Sequence, residues 1–258
     1  MNIINYNLGE VTMNNNYREQ MLSNLETTDK EFVELFSNFA FNEVIHEANI
    51  DLDEKSRFLS IIAICLGCGA KDLYKNTLSI ALNILQPEEI KEILYQATAY
   101  LGLAKTLRFF NITNKFFEEN SVKISIKIRT ISTKYTRRKL GEEAQIGIFG
   151  EQMKNFANKG SDDVKHINHW LVDNCFGDYY TRKGLNYKER ELITFCFLYA
   201  QGNCENQLKA HIQANLRLGN TREFLVSVIS NGIPYIGYPR SLNALNILNE
   251  VTNFKKEN

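Results

Sequence analysis

Leu185-Asn-Tyr-Lys-Glu-Arg-Glu-Leu-Ile-Thr-Phe-Cys-Phe-Leu-Tyr199, followed by Gly202-Asn-Cys-Glu-Asn-Gln-Leu-Lys-Ala-His211, is the stretch on which the reading of this chain turns. The first part is an apolar run that a helix can bury. Gly202-Asn203 closes that helix, and Cys204 opens the next. A carboxylate, a thiol and an imidazole, three groups that do chemistry near neutral pH, are gathered here at helical spacing. Cys204 and His211 are seven apart and share one helix face, and Glu191 near the start of the antiparallel helix is placed to orient the imidazole.

Working outward, the chain holds three prolines among 258 residues and many Leu, Ile, Glu, Lys and Asn at three- and four-residue spacing, which predicts an all-α fold. Helices are expected over about 29–48, where Phe32, Leu35, Phe36 and Phe39 recur, and over 53–66, 71–82, 87–100 with Pro87 in the first turn, and 103–117. Two more are expected over 142–156 and 161–175.

A shift of about 135 residues superimposes much of the second half on the first. Leu52, Lys55 and Arg57 parallel Leu185, Lys188 and Arg190; Glu88 parallels Glu223; Tyr100-Leu-Gly102 parallels Tyr235-Ile-Gly237; Phe41 echoes Phe176. The register needs a two-residue gap near Cys68. This reads as one helical module in tandem: an irregular segment 1–28, a first module 29–118, a connecting arm and helix 119–160, and a second module 161–258. Between the modules, residues 121–140 carry seven basic residues and no acidic one, while Val122, Ile124, Ile126 and Ile128 alternate with polar neighbours. That alternation predicts a short extended strand laid across the junction or onto a neighbouring subunit.

Lys+Arg and Asp+Glu are both 30, so the basic excess that nucleic-acid or membrane-surface partners usually require is missing. Residues 1–16 show no basic region leading into an apolar one, no run approaches bilayer length, and five cysteines fit a reducing compartment; a cytoplasmic protein is expected.

The segments Arg190-Glu-Leu-Ile-Thr-Phe195, Gly202-Asn-Cys-Glu-Asn-Gln-Leu208 with His211, Thr221-Arg-Glu223 and Pro234-Tyr-Ile-Gly-Tyr-Pro-Arg-Ser-Leu-Asn-Ala-Leu245 resemble the carboxymuconolactone decarboxylase family, within the alkylhydroperoxidase D-like superfamily. The lead-in Asn174-Cys-Phe-Gly-Asp-Tyr-Tyr-Thr-Arg182 is similar to its longer members. The resemblance implies an all-α module that assembles as trimers or hexamers, a homotrimer for a tandem chain, and two chemistries: cofactor-free decarboxylation of a small lactone, or thiol peroxidase activity. The peroxidase branch carries a Cys-x-x-Cys followed four residues later by His. Here Cys204 matches the first cysteine and His211 the histidine, Glu191 matches the carboxylate on the preceding helix, and Gln207 stands in place of the second cysteine, removing the resolving thiol.

The leading expectation is a lyase acting on a small carboxylated molecule: His211 donates a proton, Glu191 orients it, and Arg240, Arg182, Arg190 and Tyr235 bind substrate. A thiol peroxidase using Cys204, at a helix start that lowers a thiol pKa, and a non-catalytic oligomeric scaffold stay open. The first module is degenerate, since Asn76 takes the place of His211. Cys65-Leu-Gly-Cys68, Cys175 and Cys196 read as core packing, and His166 and His169 suggest no metal site. No cofactor is expected.

Overall fold

Asp53, Gln86, Asn186 and Thr221 each stand in an extended conformation before a helix, and the side chains of Asp53, Asn186 and Thr221 accept the N–H three residues on. These caps start four helices of 15 residues each. The computed structural model describes residues 21–125 and 129–254, and every regular element among them is helical.

In chain order these are α1 (Lys30–Asn38), which runs on through a π-helical turn (Phe39–Glu43), then α2 (Glu54–Cys68), α3 (Lys71–Ala81), α4 (Pro87–Leu101) and α5 (Leu103–Glu119). After the connecting segment come α6 (Arg137–Phe149) and α7 (Lys165–Trp170). The latter continues as a π-helix (Leu171–Tyr180), followed by α8 (Tyr187–Gln201), α9 (Glu205–Arg217), α10 (Arg222–Ile236) and α11 (Tyr238–Val251).

α2 to α5 and α8 to α11 run in the same order with lengths of 15, 11, 15 and 17 residues against 15, 13, 15 and 14. Gly102 and Gly237, at φ of 75° and 79°, make the same sharp break between the third and fourth helix of each set, in a region open only to glycine at little cost. The two sets interlock reciprocally: α2 lies along α8, α2 also packs on α10, and α4 packs on α8. Polar pairs repeat the pattern, Arg57 Nη1 donating to Asn231 Oδ1 at 2.9 Å and Arg190 Nη1 to Gln96 Oε1 at 2.8 Å. One apolar core runs through both sets.

α6 and the π-helix form a separate pair against this body, around Ala144, Ile148, Phe176 and Tyr180. Their backbones meet at two glycines. A Cβ on Gly141 would overlap the Val172 carbonyl oxygen, and one on Gly177 would overlap the Arg137 carbonyl oxygen, so the crossing exists because both side chains are absent.

Two helices differ in their bounds from the sequence reading. α6 begins five residues earlier than expected and stops at Phe149, and the helix expected to end at Cys175 continues to Tyr180 by widening to π geometry. The arm forms no strand among the described residues, and Ile126 and Ile128 lie outside them. Val122 and Ile124 pack on the main core, the Ser125 N–H donates to Glu88 (3.0 Å), and the Lys183 N–H donates to the Arg129 carbonyl (3.0 Å). Over 122–125 the segment is one-sided, Val122 and Ile124 half-buried and Lys123 and Ser125 exposed. A strand needs a partner edge as well, and an all-helical body offers none.

Candidate active site

α8 is buried along nearly its whole length, so a charged residue on it must find a partner inside the protein. Glu191, fully buried in the second turn, has two: its Oε2 lies 2.6 Å from His211 Nδ1 and its Oε1 accepts from the Tyr180 hydroxyl at 2.7 Å. One turn beyond His211 on α9, Asn215 donates to both the His211 and the Glu191 carbonyls, at 2.7 and 2.9 Å. That bond fixes α9 against α8 and with it the carboxylate–imidazole register. The His211 ring is held edge-on between Tyr100 and Phe149, each 5.4 Å between centroids.

With the Tyr180 O–H given to Glu191, the hydroxyls of Tyr100 (2.7 Å) and Thr194 (2.9 Å) donate to the Tyr180 oxygen. Thr194 accepts from Gln96 at 2.7 Å, Gln96 accepts from Arg190 at 2.8 Å, and Arg190 reaches Glu92 at 3.2 Å. A continuous polar chain thus runs from His211 through the interior to Glu92, crossing between the two helix sets. Burial pushes the Tyr180 phenol well above its ordinary pKa, with the Glu191 charge adding to it, so Tyr180 stays a hydrogen-bond donor.

His211 opens on a cavity of about 590 Å³ walled by Tyr100, Gln145, Phe149, Cys175, Leu198, Gln201, Asn203, Cys204 and Gln207, among others. Nδ1 is committed to Glu191, so Nε2 is the ring nitrogen left for a molecule in the cavity. No Lys, Arg, Asp or Glu lines it among the described residues.

Of the three residues read as catalytic, His211 and Cys204 line one cavity and Glu191 stands behind the imidazole, while the four read as substrate-binding do not line it. Arg182 grips Glu92 with three contacts of 3.0–3.1 Å and lies 4.3 Å over the Tyr95 ring; Arg190, fully buried, shares the same carboxylate. Arg240 is exposed and donates to the Ala200 carbonyl, and Tyr235 borders a different pocket. Arg182 and Arg190 are spent on the shared ion pair with Glu92 across the interface between the helix sets. Elsewhere, Cys68 donates to the Cys65 carbonyl, and His166 packs on Trp170.

Cys204 is half-buried and its thiol donates to the Leu198 carbonyl at 3.3 Å. Burial, with the neighbouring Glu205 charge, raises its pKa above the ordinary value, outweighing Gln201 and Lys105. The lowering expected from a helix start does not prevail. Burial also holds the Cys175 thiol up at about 12.

The pocket at Tyr235 is instructive. At the positions offset by the repeat shift, Phe58 stands for Glu191, Ile45 for Tyr180, Ile61 for Thr194 and Asn76 for His211, while Phe41 and Tyr235 match Phe176 and Tyr100. Phe41, Ile45, Phe58, Ile61 and Tyr235 line this second pocket, into which Met21 also packs, leaving about 10 Å³. Asn76 donates to the Met21 carbonyl at 3.3 Å. Tyr180, Thr194, Tyr100, Gln96, Glu92 and Gln145 went unread as site residues. The signal available for Tyr180 and Thr194 was the contrast at positions offset by the sequence shift, a polar residue in the second half against an aliphatic one in the first.

An all-helical body with a carboxylate-held histidine on an internal cavity is the class of protein that fold and site define. Residues 166–250 match the model of the Carboxymuconolactone decarboxylase family. A stretch of 116 residues is 28% identical to the 4-carboxymuconolactone decarboxylase of Acinetobacter baylyi, covering 45% of this chain and 86% of that protein. The fold resembles a crystal structure assigned as a gamma-carboxymuconolactone decarboxylase subunit from Burkholderia xenovorans LB400, with a TM-score of 0.50, 18% identity, and 95% of this chain and 98% of that one covered. No helix among the described residues is long and apolar enough to cross a membrane.

Proposed function

We propose that the chain is a carboxy-lyase that removes CO₂ from a small carboxylated lactone or related acid without a cofactor, with His211 as proton donor and Glu191 as the residue that orients it. The observation carrying this reading is the His211–Glu191 pair, buried on one side and open to the cavity on the other. When the bond to the carboxylate carbon breaks, CO₂ leaves and the electron pair passes into the substrate's own conjugated carbonyl. His211 Nε2–H then delivers a proton to carbon while Nδ1–H stays on Glu191, and solvent restores the proton given up. A carboxylate among aromatic rings and neutral amides is poorly solvated, which favours a transition state in which its charge disperses.

The same reading takes the chain as two tandem modules, of which 29–118 has lost its site and 161–258 keeps it; the matched helix order and the filled second pocket support this. Free cysteines support a cytoplasmic location. Leu103 and Leu107 on α5 and Tyr238 and Leu242 on α11, repeat-related positions each more than half exposed, supply an apolar face for self-association. We expect a homotrimer, as three tandem chains imitate six single modules. Light scattering at micromolar concentration checks this, and a strict monomer contradicts it.

The activity is tested by incubating the protein with 4-carboxymuconolactone and following CO₂ release, with Cys204→Ser alongside. The variant should retain most of the rate. Because the Cys204 thiol sits above its ordinary pKa, its alkylation by iodoacetamide should be slow at pH 7 and still climbing past pH 9. An alkylation rate already level near pH 7, with thiol-dependent peroxide consumption that disappears in Cys204→Ser, would replace the lyase reading by the peroxidase one.

A further inference from the structure

Gln145 sits on α6, outside the region that matches the family, and is fully buried. It lines the His211 cavity, and neither atom of its amide has a hydrogen-bond partner among the described residues. A buried amide with both ends unsatisfied is costly to keep, and proteins rarely keep one without a use. Its placement is determined. Gly141, Gln145 and Phe149 succeed one another at four-residue spacing on one face of α6. Gly141 makes the close backbone crossing on the π-helix, and Phe149 packs on the His211 ring. Gln145, one turn from each, is held in the cavity wall beside the imidazole by a crossing that a single methyl would disrupt.

We infer that Gln145 is a ligand-binding residue of this cavity, and that its amide reads a carbonyl oxygen on a small carboxylic acid. The lining offers no cation, so recognition of oxygen there falls to neutral donors, and Gln145 is the buried one whose N–H groups are unspent. Binding rests on the cavity alone. The catalytic consequence rests on the lyase reading: the pair from the broken C–CO₂ bond moves onto that carbonyl, giving an enolate oxygen to which Gln145 Nε2–H donates. The enolate is then discharged by the proton from His211 to carbon. A donor fixed where charge develops lowers the barrier more than it tightens binding.

Two probes differing only in the carbonyl test this by calorimetric titration: 5-oxotetrahydrofuran-3-carboxylate, a lactone acid, and tetrahydrofuran-3-carboxylate, in which the carbonyl is a methylene. Wild type should bind the lactone on the order of tenfold more tightly than the ether, the effect of one hydrogen bond. Gln145→Met should reduce that ratio to about one, leave the ether's affinity unchanged, and melt at or above the wild-type temperature, since it removes two unpaired polar atoms. Gln145→Leu repeats the test should the methionine variant fail to fold. A ratio retained in the folded variant overturns the inference, as does a wild type that binds both probes equally or binds neither. Loss of the ratio with no CO₂ release from any acid leaves the carbonyl contact standing and removes the lyase reading; loss of the ratio with CO₂ release unchanged in Gln145→Met leaves both standing and removes the enolate contact.

Discussion

His211→Gln should lower the rate of CO₂ release by roughly 10²–10⁴-fold, the usual contribution of a positioned proton donor. The amide is close to the imidazole in size and can still donate to Glu191, so packing against Tyr100 and Phe149 is preserved. It has no exchangeable proton of suitable acidity to hand to carbon. The loss should therefore appear in kcat, with KM changed only a few-fold. Glu191→Gln provides the companion measurement. It keeps the shape of the site but leaves Nδ1 facing a neutral amide, so the ring can adopt the wrong tautomer, and a loss of at least about tenfold is expected. Single-turnover assays of purified, folded variants decide the matter. A His211→Gln enzyme within about threefold of wild type would mean that some other group supplies the proton.

Glu92→Ala should destabilise the fold more than His211→Gln, Glu191→Gln or Gln145→Met. Glu92 is fully buried and holds Arg190, also fully buried, together with Arg182. Burial alone pulls the Arg190 pKa down, and Glu92 is the main force opposing it. Removing the carboxylate strands a cation in the interior, which typically costs about 3–5 kcal/mol. For a chain of this size that lowers Tm on the order of 10 °C. Arg190→Met should cost less, because Glu92 keeps Arg182 and the methionine fills part of the space. Thermal melts followed by circular dichroism give both values. A Glu92→Ala protein melting within about 2 °C of wild type would show that water reaches Arg190 and that the pair contributes little.

The helices could be read from the sequence because their signals are local. Asp53, Asn186 and Thr221 cap, Pro87 starts, and Gly102 and Gly237 break, each acting on the few residues beside it. His211, Glu191 and Cys204 were legible for a related reason, since residues seven apart on one helix and opposite on the next have predictable neighbours. The arginines were not. Whether Arg182 faces a substrate or Glu92 depends on a packing between helix sets some ninety residues apart, and no local pattern encodes that choice. Gln145 was hidden in the same way: on its own helix it is one polar residue among several, and only the crossing at Gly141 turns it inward. The π-helical course of Leu171–Tyr180 also escaped, because the apolar positions were read for α-helical spacing while a π-helix closes its hydrogen bonds one residue further on.

Tyr100 belongs to α4, in the half of the chain whose own pocket is packed shut, yet it stands against the His211 ring and hydrogen-bonds to Tyr180. The half that carries Asn76 at the offset position therefore still forms a wall of the His211 cavity. A gene shortened to the family-matching segment would encode the imidazole and the carboxylate but expose them to solvent. If the two helix sets are copies of one module, as we propose, the interior of the first is free to change but the set itself cannot be deleted, and the two halves pass on as one unit.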